Sequence, residues 1–391
     1  MRLTGILDVL RDTQTYRAVL RQLRDSGDSL SLGVLRAARP FVLSALARDW
    51  PAPIIYVTAR IDRAYNVSEQ IPVWLGGISP VHRFAEPAPF FYERSAWGDQ
   101  AIRSRIETLA ALLPEESELR PVPPIIITSA RALMQRTMPI PQFRDHTLRL
   151  APGQRWKLDS LIERWLGMGY EPETIVVEAG TFTRRGGILD IFPPAMEFPL
   201  RIEFFDDEID SLRTFDPSSQ RSVGRLNQAV ITPAREALPA LTPPLAARLA
   251  GWFAQLPSAD SDMTGPQADA EALASGTAFP FIEHYLPYLY EQRVSLLDYA
   301  PADALIVVED MGELRDTVRG LEDAALSARS TGLLAPDHPQ PYLDWETLET
   351  ALAERRVVTM GFDAEHDTEG ALQGLLAPEK RFGGQIKQFL T

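Results

Sequence analysis

The sequence predicts an α/β protein in which a parallel-sheet domain is interrupted by a small inserted α+β domain. Near the start of the chain, strand-length β-branched runs alternate with amphipathic helical runs. In the middle, strand-like runs follow one another at short spacing, which suits antiparallel pairing. After residue 295 the alternation of strand and helix returns. These three observations divide the chain into two halves of one sheet domain and an insertion.

The first half of the sheet domain is predicted over residues 1–145. Residues 53–58 (PIIYVT) and 124–129 (PIIITS) are β-branched runs of strand length. Residues 37–49 and 101–113 carry apolar side chains at helical spacing. Parallel strands joined by right-handed helical crossovers explain this alternation, so we expect a doubly wound sheet.

The inserted domain is predicted over residues 146–234. It opens with an amphipathic helix whose inward residues are expected to be Leu158, Leu161, Ile162 and Leu166. Four strands are then expected between Gly and Pro punctuation, at 174–180, 187–194, 199–205 and 210–216.

The remainder, residues 235–391, is predicted to complete the sheet domain and to begin a linker. Residues 258–276 are small, polar and acidic, which indicates a flexible surface excursion. Residues 296–310 contain a strand with a helix after it, and residues 355–362 form a further strand behind a helix at 344–354.

Composition excludes several classes of function. The 391 residues include no cysteine, so disulfides and thiolate metal sites are impossible, and the five histidines show no metal-binding spacing. A net charge of −14 opposes unaided binding to a nucleic-acid backbone. No apolar run is long enough to span a membrane, and the start lacks a signal-peptide pattern. We therefore expect a soluble cytoplasmic protein without metal or cofactor.

One predicted strand, residues 199–205, combines a core face with a face suited to docking. Because strand side chains alternate, three apolar residues share one side, and a cation, an anion and a ring share the other. Arginine and large aromatics dominate the centres of protein interfaces. The apolar side carries Leu200, Ile202 and Phe204, and the other carries Arg201, Glu203 and Phe205.

The runs RRGGILDIFP and RIEFFDDEIDSLRTFDP resemble domain 2, which is shared by the excision-repair protein UvrB and the transcription-repair coupling factors. The resemblance is closer to the coupling factors and covers nearly the whole chain. It implies that this domain captures the repair protein UvrA through Arg185, Arg201 and Phe205. The alternative is that both arginines are ordinary surface residues, paired with Glu178, Glu203 or Glu208.

The resemblance also implies a helicase-like sheet, but its phosphate-binding loop is degenerate. That loop requires the pattern GxxxxGK[ST], with glycines for close backbone approach, lysine for phosphate and a hydroxyl for magnesium. Here only the first glycine, Gly33, is present. Ala38, Arg39 and Pro40 stand in place of the second glycine, the lysine and the hydroxyl. We expect no nucleotide binding, and we expect Arg39 to be a solvated surface charge.

Two further features have structural explanations. Glu309 and Asp310 end a predicted strand, where acidic residues commonly cap the next helix. The interval from Phe84 to Trp97 is too short for the DNA-clamping hairpin of UvrB, and we expect the aromatic residues 90–92 inside it to pack against their own domain.

The sequence therefore predicts a non-catalytic adaptor that recruits UvrA. The alternatives are a UvrB-like protein that binds damaged DNA and an NTPase with an atypical phosphate loop. The resemblance implies that a longer coupling factor would mask the docking surface with its own carboxyl-terminal domain and would contact RNA polymerase and DNA through other domains. We expect this chain to be the amino-terminal part of such a protein or a free-standing relative.

Overall fold

The computed structural model describes residues 4–25, 29–113, 122–255, 266–331 and 334–361. Within them the strands are β1 (Leu30–Ser31), β2 (Ile54–Thr58), β3 (Val81–Phe84), β4 (Ile125–Ser129), β5 (Leu148–Leu150), β6 (Glu171–Pro172), β7 (Thr181–Arg185), β8 (Ile188–Ile191), β9 (Leu200–Phe205), β10 (Glu208–Phe215), β11 (Ser222–Leu226), β12 (Ala229–Ile231), β13 (Leu305–Val308) and β14 (Arg356–Thr359).

The α-helices of the same residues span Thr4–Arg11, Gln14–Asp25, Arg39–Asp49, Ile61–Leu75, Asp99–Leu112, Ala130–Met134, Ile140–Asp145, Leu158–Gly167, Thr242–Phe253, Pro266–Ser275, Leu286–Leu289, Leu296–Tyr299, Met311–Thr331 and Trp345–Ala353. Short 3-10 turns lie at Arg36–Ala38, Pro239–Leu241 and Ile282–Tyr285. No helix among the residues described has the length and apolar composition needed to cross a bilayer.

Six parallel strands form the larger sheet, in the order β1-β14-β13-β2-β4-β3. Neighbouring residues of β2 serve opposite faces: Ile54 and Tyr56 join one apolar core, whereas Ile55 and Val57 join another. Helices cover both faces, which is why β2, β4 and β13 are buried at every position and are mostly apolar. The α/β fold class predicted from the sequence is therefore confirmed.

The second sheet has the order β11-β10-β9-β8-β7-β6 and is antiparallel from β7 to β11. Its inner face packs on the helix Leu158–Gly167 and forms a separate core around Trp165, Leu189 and Ile202. All of its strands come from the middle of the chain, between the strands of the larger sheet. The domain limits at 145 and 234 themselves stay a prediction.

A two-stranded antiparallel ribbon joins the start and the end of the middle segment. Leu148, Arg149 and Leu150 of β5 pair with Ile231, Val230 and Ala229 of β12. The chain thus enters and leaves the middle segment through adjacent, hydrogen-bonded strands.

Three local predictions were wrong or incomplete. Residues 174–180 form no strand; Ile175 and Val177 in that segment are about half exposed. In the helix Leu158–Gly167, Trp165 is buried and Leu166 is exposed, because the helix meets the sheet through the larger ring. The excursion predicted at 258–276 lies outside the described residues up to 265, and from Pro266 to Ser275 it is helical. The predicted linker beyond 361 also lies outside the described residues.

Candidate partner-binding site

Two tight turns place the predicted docking residues at one end of the second sheet. Gly186 adopts a φ of 62° in the two-residue turn between β7 and β8, a conformation that glycine adopts without strain. Asp206, with a φ of 57°, forms the equivalent turn between β9 and β10 together with Asp207. The Phe204 N–H donates to the Gly187 carbonyl at 2.9 Å, so the two turns are neighbours.

The strand register shows that Arg185 and Arg201 lie on the same face. Arg185 is opposite Ile188, which is opposite Glu203, while Arg201 is opposite Asp190. Residues directly opposite one another in adjacent strands point to the same side of a sheet. Both arginines and Glu203 are therefore on the side away from the Trp165 core. We call this side the arginine face; it carries Arg185, Asp190, Arg201, Glu203, Arg213 and Arg225.

Phe205 ends β9 at the turn and is 81% exposed. On the opposite face of the strand, Leu200 and Ile202 are fully buried and Phe204 is partly buried against the Trp165 core, in agreement with the predicted alternation. An exposed ring of this size keeps a large apolar area in water, and rings of this kind are enriched at the centres of protein interfaces. Phe205 is thus the most prominent apolar feature of this end of the sheet.

Arg185 is exposed, and its guanidinium donates from Nη2 to the Thr174 carbonyl at 3.1 Å. This single bond fixes the direction of the side chain and leaves further N–H groups facing solvent. Arg185 therefore offers a positioned cation beside the exposed ring.

Arg201 differs from the expectation of an outward, available cation. Its Nε and Nη2 donate to the two carboxylate oxygens of Asp190 at 2.7 and 2.8 Å, and its guanidinium lies 4.7 Å from the centre of the Phe215 ring. The side chain is only 19% exposed. The alternative pairing with Glu178, Glu203 or Glu208 is also wrong, because the strand register brings Asp190 directly opposite Arg201. The paired Asp190 raises the pKa of Arg201.

Sequence reasoning missed two arginines on this face. Arg201, Arg213 and Arg225 lie directly opposite one another across β9, β10 and β11. Arg213 approaches Glu203, with Nη2 3.5 Å from Oε2, and Arg225 is exposed. Only the cross-strand register shows this row, because the residues are 12 positions apart along the chain.

The degenerate phosphate loop lies at the carboxyl edge of the larger sheet. Gly33 is in an extended segment whose neighbours Leu32 and Val34 donate to carbonyls of Thr359 and Met360. Ala38 ends a 3-10 turn, and Pro40 occupies the first turn of the helix Arg39–Asp49.

Arg39 is buried rather than solvated, which overturns the sequence expectation. Its Nη1 lies 2.9 Å from Glu309 Oε1, an ion pair whose alignment falls short of a hydrogen bond. Glu309 is 3% exposed and also accepts from Arg63 at 3.2 Å. Arg63 in turn donates to Glu313 at 2.5 Å, and this hydrogen bond lowers the pKa of Glu313. Arg39, Glu309, Arg63 and Glu313 thus form one ion-pair network at this edge of the sheet.

The remaining predictions at the sheet edge agree with the structure. Asp310 Oδ1 accepts from the Glu313 N–H at 2.9 Å, as an N-cap of the helix Met311–Thr331 does. Phe91 and Tyr92 are buried against Tyr342, so the aromatic cluster packs within its own domain. Residues 85–98, all described, contain no strand.

Comparisons with known proteins match both the middle segment and most of the chain. Residues 148–236 match the family of the UvrB interaction domain. The transcription-repair-coupling factor of Mycobacterium tuberculosis is 30% identical over 355 residues, covering 88% of this chain and 28% of that protein. The factor of Myxococcus xanthus is 32% identical over 311 residues (77% and 25%), and that of Bacillus subtilis is 26% identical over 334 residues (81% and 27%).

The fold and the matched segment define a two-sheet α/β module that carries a UvrB interaction domain. The chain belongs to the family of the transcription-repair-coupling factors and corresponds to their amino-terminal module. It spans about a quarter of the length of the curated relatives it matches.

Proposed function

We propose that this chain is a non-catalytic adaptor of transcription-coupled nucleotide excision repair and that it recruits UvrA through Arg185, Arg201 and Phe205. The observation that carries the proposal is the 81% exposure of Phe205 beside Arg185, within the segment that matches the UvrB interaction domain. In this cytoplasmic complex, Phe205 is the apolar anchor and Arg185 the charged contact. Arg201 is a positioning residue, which holds β8 and β9 together through Asp190.

The proposed division of roles follows from exposure and pairing. Truncation of Phe205 should cost the folded chain little stability, because most of the ring is in water. A partner that encloses the ring would gain the free energy of burying its apolar surface. Arg185 keeps free N–H groups for a carboxylate or carbonyl of UvrA. Arg201 already uses the Nε–Nη2 edge of its guanidinium on Asp190, so its direct contribution to binding is smaller than that of Arg185.

The absence of catalysis is part of the proposal. A phosphate approaching the sheet edge would have to displace the Arg39–Glu309 pair and would meet the Glu309 carboxylate, which repels it. Titration with a fluorescent ATP analogue should give no saturable binding. Micromolar binding would instead favour an NTPase, and binding of damaged DNA by the chain alone would favour a UvrB-like damage-recognition protein.

In a longer coupling factor, we propose that the same face is masked by the carboxyl-terminal domain. Contacts with RNA polymerase and DNA would then come from other parts of that protein. The exposed Phe205 fits both roles, since one apolar ring can be enclosed by either the masking domain or UvrA.

The test is alanine substitution with UvrA affinity as the readout. Phe205→Ala and Arg185→Ala should each weaken UvrA binding by about 2 kcal/mol, as hot-spot truncations do. Leu326→Ala is the matched control, because Leu326 is a 59% exposed apolar residue on the helix Met311–Thr331 and should leave affinity unchanged. Wild-type affinity in both docking variants would place the UvrA site elsewhere.

A further inference from the structure

Three arginines stand in one row across the arginine face. The register pairs Arg201 with Arg213 and Arg213 with Arg225, with no residue of opposite charge between them in the row. Like charges directly opposite one another in adjacent strands repel. The folded chain alone gives no reason for this arrangement.

The charges of the three arginines are neutralised to different degrees, and the neutralisation decreases from Arg201 toward the sheet edge. Arg201 forms a two-point ion pair with the buried Asp190 through Nε and Nη2. Arg213 is 3.5 Å from Glu203, whose carboxylate also accepts from the Ser211 hydroxyl. Arg225, on the edge strand β11, forms no ion pair with any residue that the structure describes. Of the three arginines, Arg225 is therefore the least neutralised.

The contrast with the rest of the chain identifies the chemistry of the partner. The protein carries a net charge of −14, so a row of partly uncompensated arginines is a local exception. Complementary potentials steer association and set the orientation of a complex. The surface that meets this row must therefore be acidic.

We propose that the UvrA-docking surface extends from Phe205 along the arginine row to Arg213 and Arg225, and that UvrA places acidic side chains opposite these two arginines. This inference rests on the proposed function, because it takes UvrA as the occupant of the face. Val223 on the same edge strand, 58% exposed, adds an apolar contact at the far end. The surface then spans β9 to β11, in addition to Arg185 on β7.

The decisive variant is Arg225→Glu, with UvrA affinity and thermal stability both measured on the full chain. Affinity should fall by about ten-fold or more, and the decrease of affinity with added salt should become less steep, because a charge contact is lost. Thermal stability should stay the same or rise, because the substitution removes repulsion with Arg213. Arg225→Lys keeps the charge and should retain most of the affinity.

The control Arg319→Glu makes the same charge change on the exposed side of the helix Met311–Thr331 and should leave UvrA affinity unchanged. An equal loss of affinity in both variants would mean that only net charge matters, which overturns the extended surface. A loss of affinity together with unfolding of Arg225→Glu would also overturn it, since the role would be structural.

Phe205→Ala separates this inference from the proposed function. If Phe205→Ala weakens UvrA binding and Arg225→Glu does not, the extension is wrong and the proposed function stands. If neither does, the arginine face does not dock UvrA at all. If Arg225→Glu instead weakens binding of single- or double-stranded DNA and leaves UvrA binding intact, the row contacts phosphates and the acidic-partner inference fails.

Discussion

Arg39 and Glu309 form a buried ion pair at the carboxyl edge of the larger sheet, with Nη1 and Oε1 2.9 Å apart. In open α/β sheets this edge is the usual place for a nucleotide. Arg63 contacts the second oxygen of Glu309 and continues the network to Glu313. These side chains are part of the internal structure at this edge, and they should influence stability.

Arg39→Ala should lower the free energy of unfolding by about 3 kcal/mol, because it leaves the buried Glu309 with one cation in place of two. Urea unfolding followed by circular dichroism measures the change. Arg36→Ala is the control: Arg36 is exposed in the preceding 3-10 turn, and its truncation should change stability by less than about 0.5 kcal/mol. Equal midpoints for wild type and Arg39→Ala would contradict the structural role of the pair.

Arg201→Ala should reduce stability as well as any UvrA affinity. Removing the guanidinium leaves the Asp190 carboxylate, 1% exposed, without its counter-charge, which costs about 3 kcal/mol. A double-mutant cycle with Asp190→Asn measures the coupling, and the double variant should be more stable than the sum of the two single losses implies. Strictly additive losses would show that the two side chains are independent.

Gly186→Ala should destabilise the chain by about 1 kcal/mol, because its φ of 62° strains any residue with a Cβ. Space is available, since a Cβ there would meet no atom within 4 Å, so the effect is one of backbone conformation. Gly251→Ala is the matched control on the exposed side of the helix Thr242–Phe253, where alanine should stabilise by up to about 1 kcal/mol. The two substitutions should therefore shift the melting temperature in opposite directions.

His338 should make stability depend on pH. Burial lowers the pKa of His338 to about 4, and its ring packs 5.1 Å from His284 and 4.9 Å from Tyr288. The unfolded chain binds a proton near pH 6.5 while the folded chain does not, so this contribution is complete above that pH and is lost as pH falls toward 4. Nearby Arg329 also disfavours the protonated ring, whereas Asp337 favours it.

The measurement is the unfolding free energy of wild type and His338→Gln across this range. The difference between the two proteins should change by about 2 kcal/mol between roughly pH 6.5 and 4.5, with the variant less sensitive to acid. Taking the difference removes contributions of opposite sign, such as that of Glu283, whose pKa burial raises to about 7. Parallel profiles would show that His338 becomes protonated in the folded chain.

The sequence could predict the strands and the exposed ring because both depend on local pattern. β-branched runs marked β2 and β4, and strict alternation marked Phe205 as outward. It could not predict which charged side chains form ion pairs with each other. The ion pairs Asp190–Arg201 and Glu309–Arg39 depend on strand register and on crossover geometry. These bring together residues that are up to 270 positions apart in the sequence.

Residues 174–180 show that a local sequence pattern can predict a strand that the fold does not form. The run contains Ile175 and Val177 and has strand composition, yet it pairs with no strand, and both side chains are about half exposed. The hydrogen-bonding place beside β7 is taken by Glu171 and Pro172. Another segment therefore occupies this edge of the sheet, and that tertiary pairing overrides the local strand propensity of residues 174–180.

The ribbon of β5 and β12 brings the two ends of the middle segment together, and Arg103 of the sheet domain adds a second contact by lying over the Phe192 ring of that segment. Because Leu150 and Ala229 are paired neighbours, the two cut points for excising this segment lie side by side. Such a segment can be exchanged between homologues, or inserted into a loop of an unrelated protein, without stretching the backbone of the segment or of the recipient protein. The arginine face would be carried along in any such exchange, because all of the strands that bear it lie between the two cut points.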